Sequence, residues 1–557
     1  MVSRPAGPDV VSGPSAADGA GFHLVLLFAT ATGAITGVAV AGFDAAVQPT
    51  VGWVLDRPAW MLAAIPALGL VVVYALGVLW GSSDTTTTDA YVRAYHQRDG
   101  RLTVRHAVHK VVASAVTLGS GNAFGFEGPA MLIGGTVGSS IDERFGSRLR
   151  RDDAKVLMVA GAAAGVAAVF KAPLTGVVFA LEVPYRSDLA RRALLPTLVA
   201  SGVAYLSYVA LIGTEPLLAT GGSAPFDLRD LGGGVLLGAC CGVLARFGAV
   251  ALAHAKDIPV SGPVRVLGAA TAIAVIAPLG HWWLGGPFHL GPSYETIAWA
   301  TDPDRTVTVL VAVLALRALT TWLGVAGGGI GGLFIPLVTQ GAIIGAICQQ
   351  IVQAPNARLL PTIGIAAFLG AGYRTPLAGV AFVAEATGQP GFLVPALLAA
   401  ATAQITMGPH SFSAYQRNER APDLEPLTRL PVAEIMSPNV DTVDASLSLD
   451  RVAPEMMRRN RRWAPVTEGS RYVGLIALAD VAEVSEDDWP NVTAIEMART
   501  DLVPARPDEP VSVVAARLRA SDSDAVAVIE GESVVGVVTR RDLENVELLL
   551  DRLAGDT

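Results

Sequence analysis

Among 557 residues there are only three cysteines and eight histidines, and 16% of the chain is charged. Each scarcity removes a class of protein. Cys240, Cys241 and Cys348 all lie inside apolar runs, so they read as small lipid- or core-facing residues and not as a disulfide framework or thiolate metal site. The histidines are scattered and none makes an HExxH pattern, which leaves no metal-ligand set and no reason to expect an enzyme. A net charge of −9, spread along the chain, argues against a nucleic-acid partner. No basic start leads directly into a short apolar core with a cleavage site, so no signal peptide is expected. Residues 1–22, polar and rich in Gly, Pro and Ala, read as a disordered cytoplasmic tail.

What is abundant is apolar sequence, at 52% of the chain and concentrated between about residues 23 and 408. A bilayer core of about 30 Å needs roughly twenty helical residues, and 24–47, 60–80, 231–253 and 306–323 meet that length. The stretches 119–142, 158–183, 326–350 and 362–387 are broken by Gly, Pro or charge, which predicts half-length helices meeting inside the membrane. The basic loops 144–153 and 186–192 favour the cytoplasm. Two decapeptides, PLTGVVFALE at 173–182 and PLAGVAFVAE at 376–385, follow similar Gly/Ala-rich runs and end on a carboxylate. This is a duplicated membrane half with broken segments, an arrangement that places a transport site between the halves near the midplane.

Within 119–135, GSGNAFGFEGPAMLIGG, Glu127 opens a helix whose first turn holds Gly128 and Pro129. The unpaired N–H groups and partial positive charge of a helix start suit an anion, so one site can be contested by the carboxylate and a diffusing halide. Structurally, Glu127 could instead satisfy only its own helix, but intramembrane carboxylates are costly and usually functional. In the other half, GVAGGGIGGLFIPLVTQGAIIG at 324–345 places the main-chain N–H groups of Leu333 and Phe334 before a second such helix. A third start is GSSDTTTTDAYVRAYH at 81–96, where hydroxyls precede Asp89, a pattern that ordinary helix capping also explains.

Together these residues resemble the CLC chloride channel and transporter family over roughly residues 23–415. FEGP at 126–129 is similar to the family's G-(K/R)-E-G-P motif and GLFIP at 332–336 to its G-x-F-x-P loop. The resemblance implies an all-α polytopic membrane domain built as an antiparallel inverted repeat, with halves near 23–215 and 228–415. It also implies a homodimer in the cell membrane with both termini cytoplasmic, and selective chloride transport gated by Glu127 and by pH. Its implied anion contacts are Gly125, Phe126, Gly128, Leu333 and Phe334. The family's Gly-Ser-Gly-Ile-Pro serine falls on Thr85, with Thr86 and Thr87 as neighbouring competitors. Its pore tyrosine falls on Phe412, with Tyr415 three residues later, and either ring also reads as packing. Phe126 replaces the basic residue before the gating glutamate, and Pro129 argues against a fluoride specialist. Family exchangers commonly carry two acids where this chain has Glu182-Val183; Val183 therefore implies a chloride channel, with H+/Cl− antiport as the alternative. Glu182 reads more readily as structural, paired with Lys171 or Arg374. A membrane enzyme using Glu127 as a base is a remote rival, and a cation channel would need clustered acids that are not there.

After a charged linker at 416–429, 432–444 parallels 493–507, and each is followed by an amphipathic helix and two apolar strands, WAPVTE with YVGLIA and AVAVIE with VVGVVT. This resembles a small α/β tandem of CBS domains, at 430–484 and at 485–557 with a C-terminal helix. The resemblance implies a regulatory adenine nucleotide, ATP or AMP, held at the ribose by Thr539 and Asp542 and at the phosphates by Arg540 or Arg541. The first copy offers Ala477 before Asp480, so the alternative is a purely structural pair. No required cofactor and no metal are expected.

Overall fold

The computed structural model describes residues 16–545 apart from 81–85, 98–100, 146–152, 216, 219–227, 257, 293, 303, 354–355, 419–429, 439, 460, 501, 522 and 544. The chain divides into two compact units, Met1–Glu419 and Arg420–Thr557.

The first unit is helical throughout. Helices α1 (Ala16–Leu55), α2 (Ala59–Trp80), α3 (Thr87–Gln97), α4 (Val104–Gly119), α5 (Glu127–Phe145), α6 (Asp153–Phe170), α7 (Pro173–Glu182) and α8 (Leu194–Ile212) make one half. The same succession of long and short helices follows as α9 (Leu228–Lys256), α10 (Gly262–Leu284), α11 (Tyr294–Ala300), α12 (Val307–Ala326), α13 (Phe334–Val352), α14 (Leu359–Tyr373), α15 (Pro376–Thr387) and α16 (Leu393–Met407). Among the described residues seven helices are long and apolar enough to cross a membrane, while the five at 155–170, 173–182, 359–373, 376–387 and 393–407 are shorter apolar pieces. Helix α1 begins inside the segment expected to be a disordered tail, because nothing between Pro14 and Pro49 interrupts a helix.

Small residues let the helices approach closely, as membrane interfaces require when lipid supplies no hydrophobic drive. A Cβ on Gly134 of α5 or on Gly161 of α6 would run into the other's carbonyl, and the counterparts Gly341 of α13 and Gly364 of α14 repeat the contact. The breaks also match between halves. Lys171 and Arg374 take left-handed backbone at φ 52° and 56°, ending α6 and α14, and Pro173 and Pro376 then open α7 and α15.

The second unit holds two three-stranded sheets, made from β1 (Ser437–Pro438), β2 (Val443–Asp444), β3 (Trp463–Glu468), β4 (Arg471–Ala477), β5 (Ala525–Glu530) and β6 (Ser533–Thr539). The orders are β2-β3-β4 and β1-β6-β5. Each predicted strand pair forms an antiparallel hairpin, turned at Gly469 or Gly531 with φ of 64° and 65°. Strand β1 leaves its own copy to pair with β6, Ser437 opposite Val537, which interlocks the copies. Helices α17 (Leu449–Arg458) and α18 (Leu478–Val481) belong to the first copy, and α19 (Ala494–Met497) and α20 (Val511–Ala520) to the second. The expected C-terminal helix lies largely outside the described residues.

Candidate functional site

The two glycine loops before α5 and α13 meet on the repeat axis. Gly125 N–H donates to the Gly332 carbonyl at 2.8 Å, and Gly332 N–H returns a bond to the Gly125 carbonyl at 3.0 Å. This antiparallel pair aims the N-termini of α5 and α13 at one point. Glu127, 1% exposed, fills that point: its Oε1 accepts from Phe334 N–H at 2.5 Å, and its Oε2 has no hydrogen-bond partner. A Cβ on Gly125 or Gly332 would overlap the carboxylate, so the glycines are needed to make room for it. The side chain thus sits where a free anion would find the same donors.

A third helix start joins from the first half. Thr86 bridges Gly331, Thr87 Oγ1 donates to the Gly331 carbonyl at 3.2 Å, and Thr88 Oγ1 lies 3.4 Å from the Tyr373 hydroxyl. Tyr373 ends α14, is 2% exposed, and holds its hydroxyl beside the Leu333 N–H and its ring against Phe179 at 5.4 Å. Two hydroxyls and a main-chain N–H therefore gather near the Glu127 carboxylate, donors of the kind an anion requires, while the neighbouring Asp89 carboxylate is paired with Lys256 at 2.6 Å. Lys110 of α4, fully buried, donates from Nζ to the Thr86 carbonyl at 3.4 Å. Thr85 lies outside the described residues. Among the described residues no group of three His, Cys, Asp or Glu side chains gathers as a metal ion would need.

Residues 68–408 match the family model described as voltage gated chloride channel, and CBS-domain models match 432–487 and 492–547. The chain belongs to the CLC family. Two relatives named H(+)/Cl(−) exchange transporter ClcA, from Vibrio vulnificus and Citrobacter koseri, are each 28% identical, over 306 and 305 residues that cover 52% of this chain and 63% of theirs. The chain thus spans just under two thirds of these relatives. Among solved structures, a slow cyanobacterial Cl−/H+ antiporter is 22% identical with TM-score 0.60, covering 69% of this chain and 94% of the other. A eukaryotic CLC transporter is 17% identical with TM-score 0.58, covering 94% and 98%. At these identities the likeness is one of fold.

Within this CLC fold, several expected residues stand elsewhere than the resemblance implied. Phe412 donates its N–H to the Gly372 carbonyl at 2.9 Å and packs its ring on Gly248 and Gly372, while Tyr415 accepts from Arg93 Nη2 at 2.7 Å under a cation–π contact. The aromatic hydroxyl that lies beside the threonines is that of Tyr373, and nothing in its local sequence, GAGYRT, marks it. Glu182 pairs with neither Lys171 nor Arg374. It accepts from the N–H groups of Leu377 and Ala378 at 3.2 and 2.8 Å, because Pro376 opens α15 and leaves those donors free, while Lys171 bonds the Glu215 carbonyl and Arg374 those of Arg186 and Gly408. Val183 is buried, and its carbonyl accepts from Gln416 Nε2 at 2.9 Å.

In the CBS unit Thr539 and Asp542 bond each other, with Thr539 N–H and Oγ1 donating to Asp542 Oδ2 at 2.8 and 2.7 Å. Arg540 Nε pairs with Asp524 at 3.0 Å. At the matching place in the first copy Asp480 is clamped bidentately by Arg499 at 2.8 and 2.7 Å.

Proposed function

We propose that this protein carries chloride across the membrane in exchange for protons, with Glu127 as the gate, and that it is a transporter and not an enzyme. The observation that carries the reading is the Glu127 carboxylate seated on the Phe334 N–H at the meeting of two helix starts. An ionised carboxylate competes there with chloride; a protonated one loses its charge-assisted bond and yields the place to an anion. Proton and chloride then occupy one site in turn, which is the elementary requirement of exchange. The names of the relatives favour exchange over the channel that Val183 suggested. The channel remains the second reading, since Val183 supplies no proton-carrying group next to Glu182. We further place the CBS pair and both termini in the cytoplasm, the chain in a homodimer, and an adenine nucleotide at Thr539 and Asp542.

The test is flux through the purified full chain in liposomes. A chloride gradient should drive protons uphill in the same vesicles, and potassium should not pass. Acid pH should raise chloride movement. Glu127→Gln, which resembles the protonated form, should keep chloride flux intact or higher, remove much of its pH dependence and stop proton movement. Chloride flux without proton movement in the unmodified protein would establish the channel, and potassium flux without chloride would end the anion reading altogether.

A further inference from the structure

The threonine side of the site ends on a negative charge. Asp89 stands third in α3, directly after Thr88. Ordinary capping would spend its carboxylate on donors at its own helix start. Here Thr86 Oγ1 is a local donor to Oδ2, and three more donors come from elsewhere in the fold. Lys256 Nζ, from the last residue of α9, also reaches Oδ2, at 2.6 Å, while Ser413 Oγ and Ala414 N–H reach Oδ1 at 2.9 and 3.1 Å. The lysine belongs to the other half of the repeat, 167 positions away. Both side chains are largely buried, 18% exposed for Lys256 and 9% for Asp89, so solvent screens the pair little. The loop that Asp89 closes is packed on the anion side: Thr86 bridges Gly331, Thr87 Oγ1 donates to the Gly331 carbonyl, and Thr88 Oγ1 lies beside the Tyr373 hydroxyl. A bare carboxylate bonded to Thr86 would repel an anion held by these donors. Lys110 reaches the same loop at the Thr86 carbonyl, 3.4 Å away, whereas Lys256 is paired with the carboxylate itself.

We propose that Lys256 is a positioning residue of the anion site. By neutralising Asp89 it lets a carboxylate fasten the threonine loop to α9 and to Ser413 and Ala414 without leaving a net negative charge beside the anion. This role rests on the anion reading of the site and is the same for an exchanger and a channel. A tie that only held the helices together would be weakened by the loss of either member, and the site with it. Charge gives opposite signs instead: removing Lys256 leaves a bare carboxylate that disfavours chloride, and removing the charge of Asp89 leaves an ammonium that favours it.

The experiment reads chloride affinity by calorimetry on the full chain in detergent, with thermal unfolding, for the unmodified protein, Lys256→Met, Lys256→Arg, Asp89→Asn and the double variant Asp89→Asn/Lys256→Met. Lys256→Met should weaken chloride binding by about tenfold, the scale of repulsion between two like charges roughly 10 Å apart in a protein interior, and Lys256→Arg should stay within about threefold of the parent. Asp89→Asn should bind chloride as tightly or more tightly. The double variant, in which neither charge remains, should return to within about threefold of the parent. Unchanged affinity in a folded Lys256→Met overturns the proposal and leaves the anion reading standing. So does affinity weakened alike in Lys256→Met, Asp89→Asn and the double variant, the result of a tie that only packs α3 on α9. Should Lys256→Met fail to fold, Asp89→Asn decides, and weaker binding there is the overturning result. A parent that neither binds chloride in calorimetry nor carries it in liposomes removes the anion reading and the role of Lys256 with it.

Discussion

Tyr373 is the residue on which anion affinity should depend most directly after Glu127. Its hydroxyl, beside Thr88 Oγ1 and the Leu333 N–H, is a donor that water cannot replace in so buried a place. Removing a hydrogen bond to a charged partner costs about 1.5–3 kcal/mol, which is roughly ten- to a hundredfold in affinity. Tyr373→Phe should weaken chloride binding by that factor in calorimetry on the detergent-solubilised protein, with unfolding temperature little changed. Unaltered affinity would leave the anion to the main-chain donors and the threonines alone. The same residue shows where reading a sequence stops. Glu127 and the loop 332–336 are legible because their chemistry is local: a glycine-rich turn, a proline in the first helical turn, a carboxylate or bare N–H between. Tyr373 meets Thr88 across 285 positions, and Lys110 meets Thr86 only after the chain has folded back on itself. Neither leaves a mark in its own neighbourhood, whereas Phe412, which stood where a family motif would have it, is packed against glycines.

At the scale of elements, the two decapeptides cap each other. Glu182, ending α7, accepts from the first N–H groups of α15, and Glu385, in the last turn of α15, accepts from Leu174 N–H, Thr175 N–H and Thr175 Oγ1 of α7 at 2.8, 2.7 and 2.7 Å. Each helix begins at a half-buried proline, and its first N–H groups have no partner within their own helix. The repeat solves this by symmetry: the carboxylate that one copy places at its end is the cap that the other copy lacks. Both the prolines and the glutamates were visible as a repeat, but a linear pattern cannot show that the cap is traded between copies, and the nearby Lys171 and Arg374 looked the better partners. Glu385→Ala should cost about 1–2 kcal/mol, the usual value of a lost N-cap, and lower the unfolding temperature in detergent. Glu385→Gln, which keeps an accepting oxygen, should lose less. Equal loss in both would mean that charge, and not the accepted bonds, holds the pair.

On the scale of the whole molecule, the segment 411–418 is the last of the membrane unit before the chain passes to the CBS unit, and it is bonded almost residue by residue to the site. Ser413 Oγ and Ala414 N–H donate to Asp89, which also accepts from Thr86 and Lys256; Gln416 Nε2 donates to the carbonyls of Tyr373 and Val183; Arg417 N–H donates to the Pro184 carbonyl. A pull or rotation on this strap would therefore reach the threonine loop and Tyr373 together. A nucleotide can exploit that only through different affinities for the CBS shapes that accompany open and closed sites, and coupling of about 1–3 kcal/mol is the usual range. Binding should occur once per chain. The second copy carries both Thr539 and Asp542, which bond each other, whereas the first copy has Ala477 and an Asp480 already claimed by Arg499. Calorimetry on the full chain should find one ATP or AMP site, weakened by Asp542→Ala. Gln416→Ala should leave that binding intact while removing the nucleotide's effect on chloride flux, because the bond it deletes lies on the strap and not in the nucleotide site. If no heat appears at millimolar nucleotide, the CBS pair is a structural module, and the proposal that Glu127 gates an anion path is unaffected.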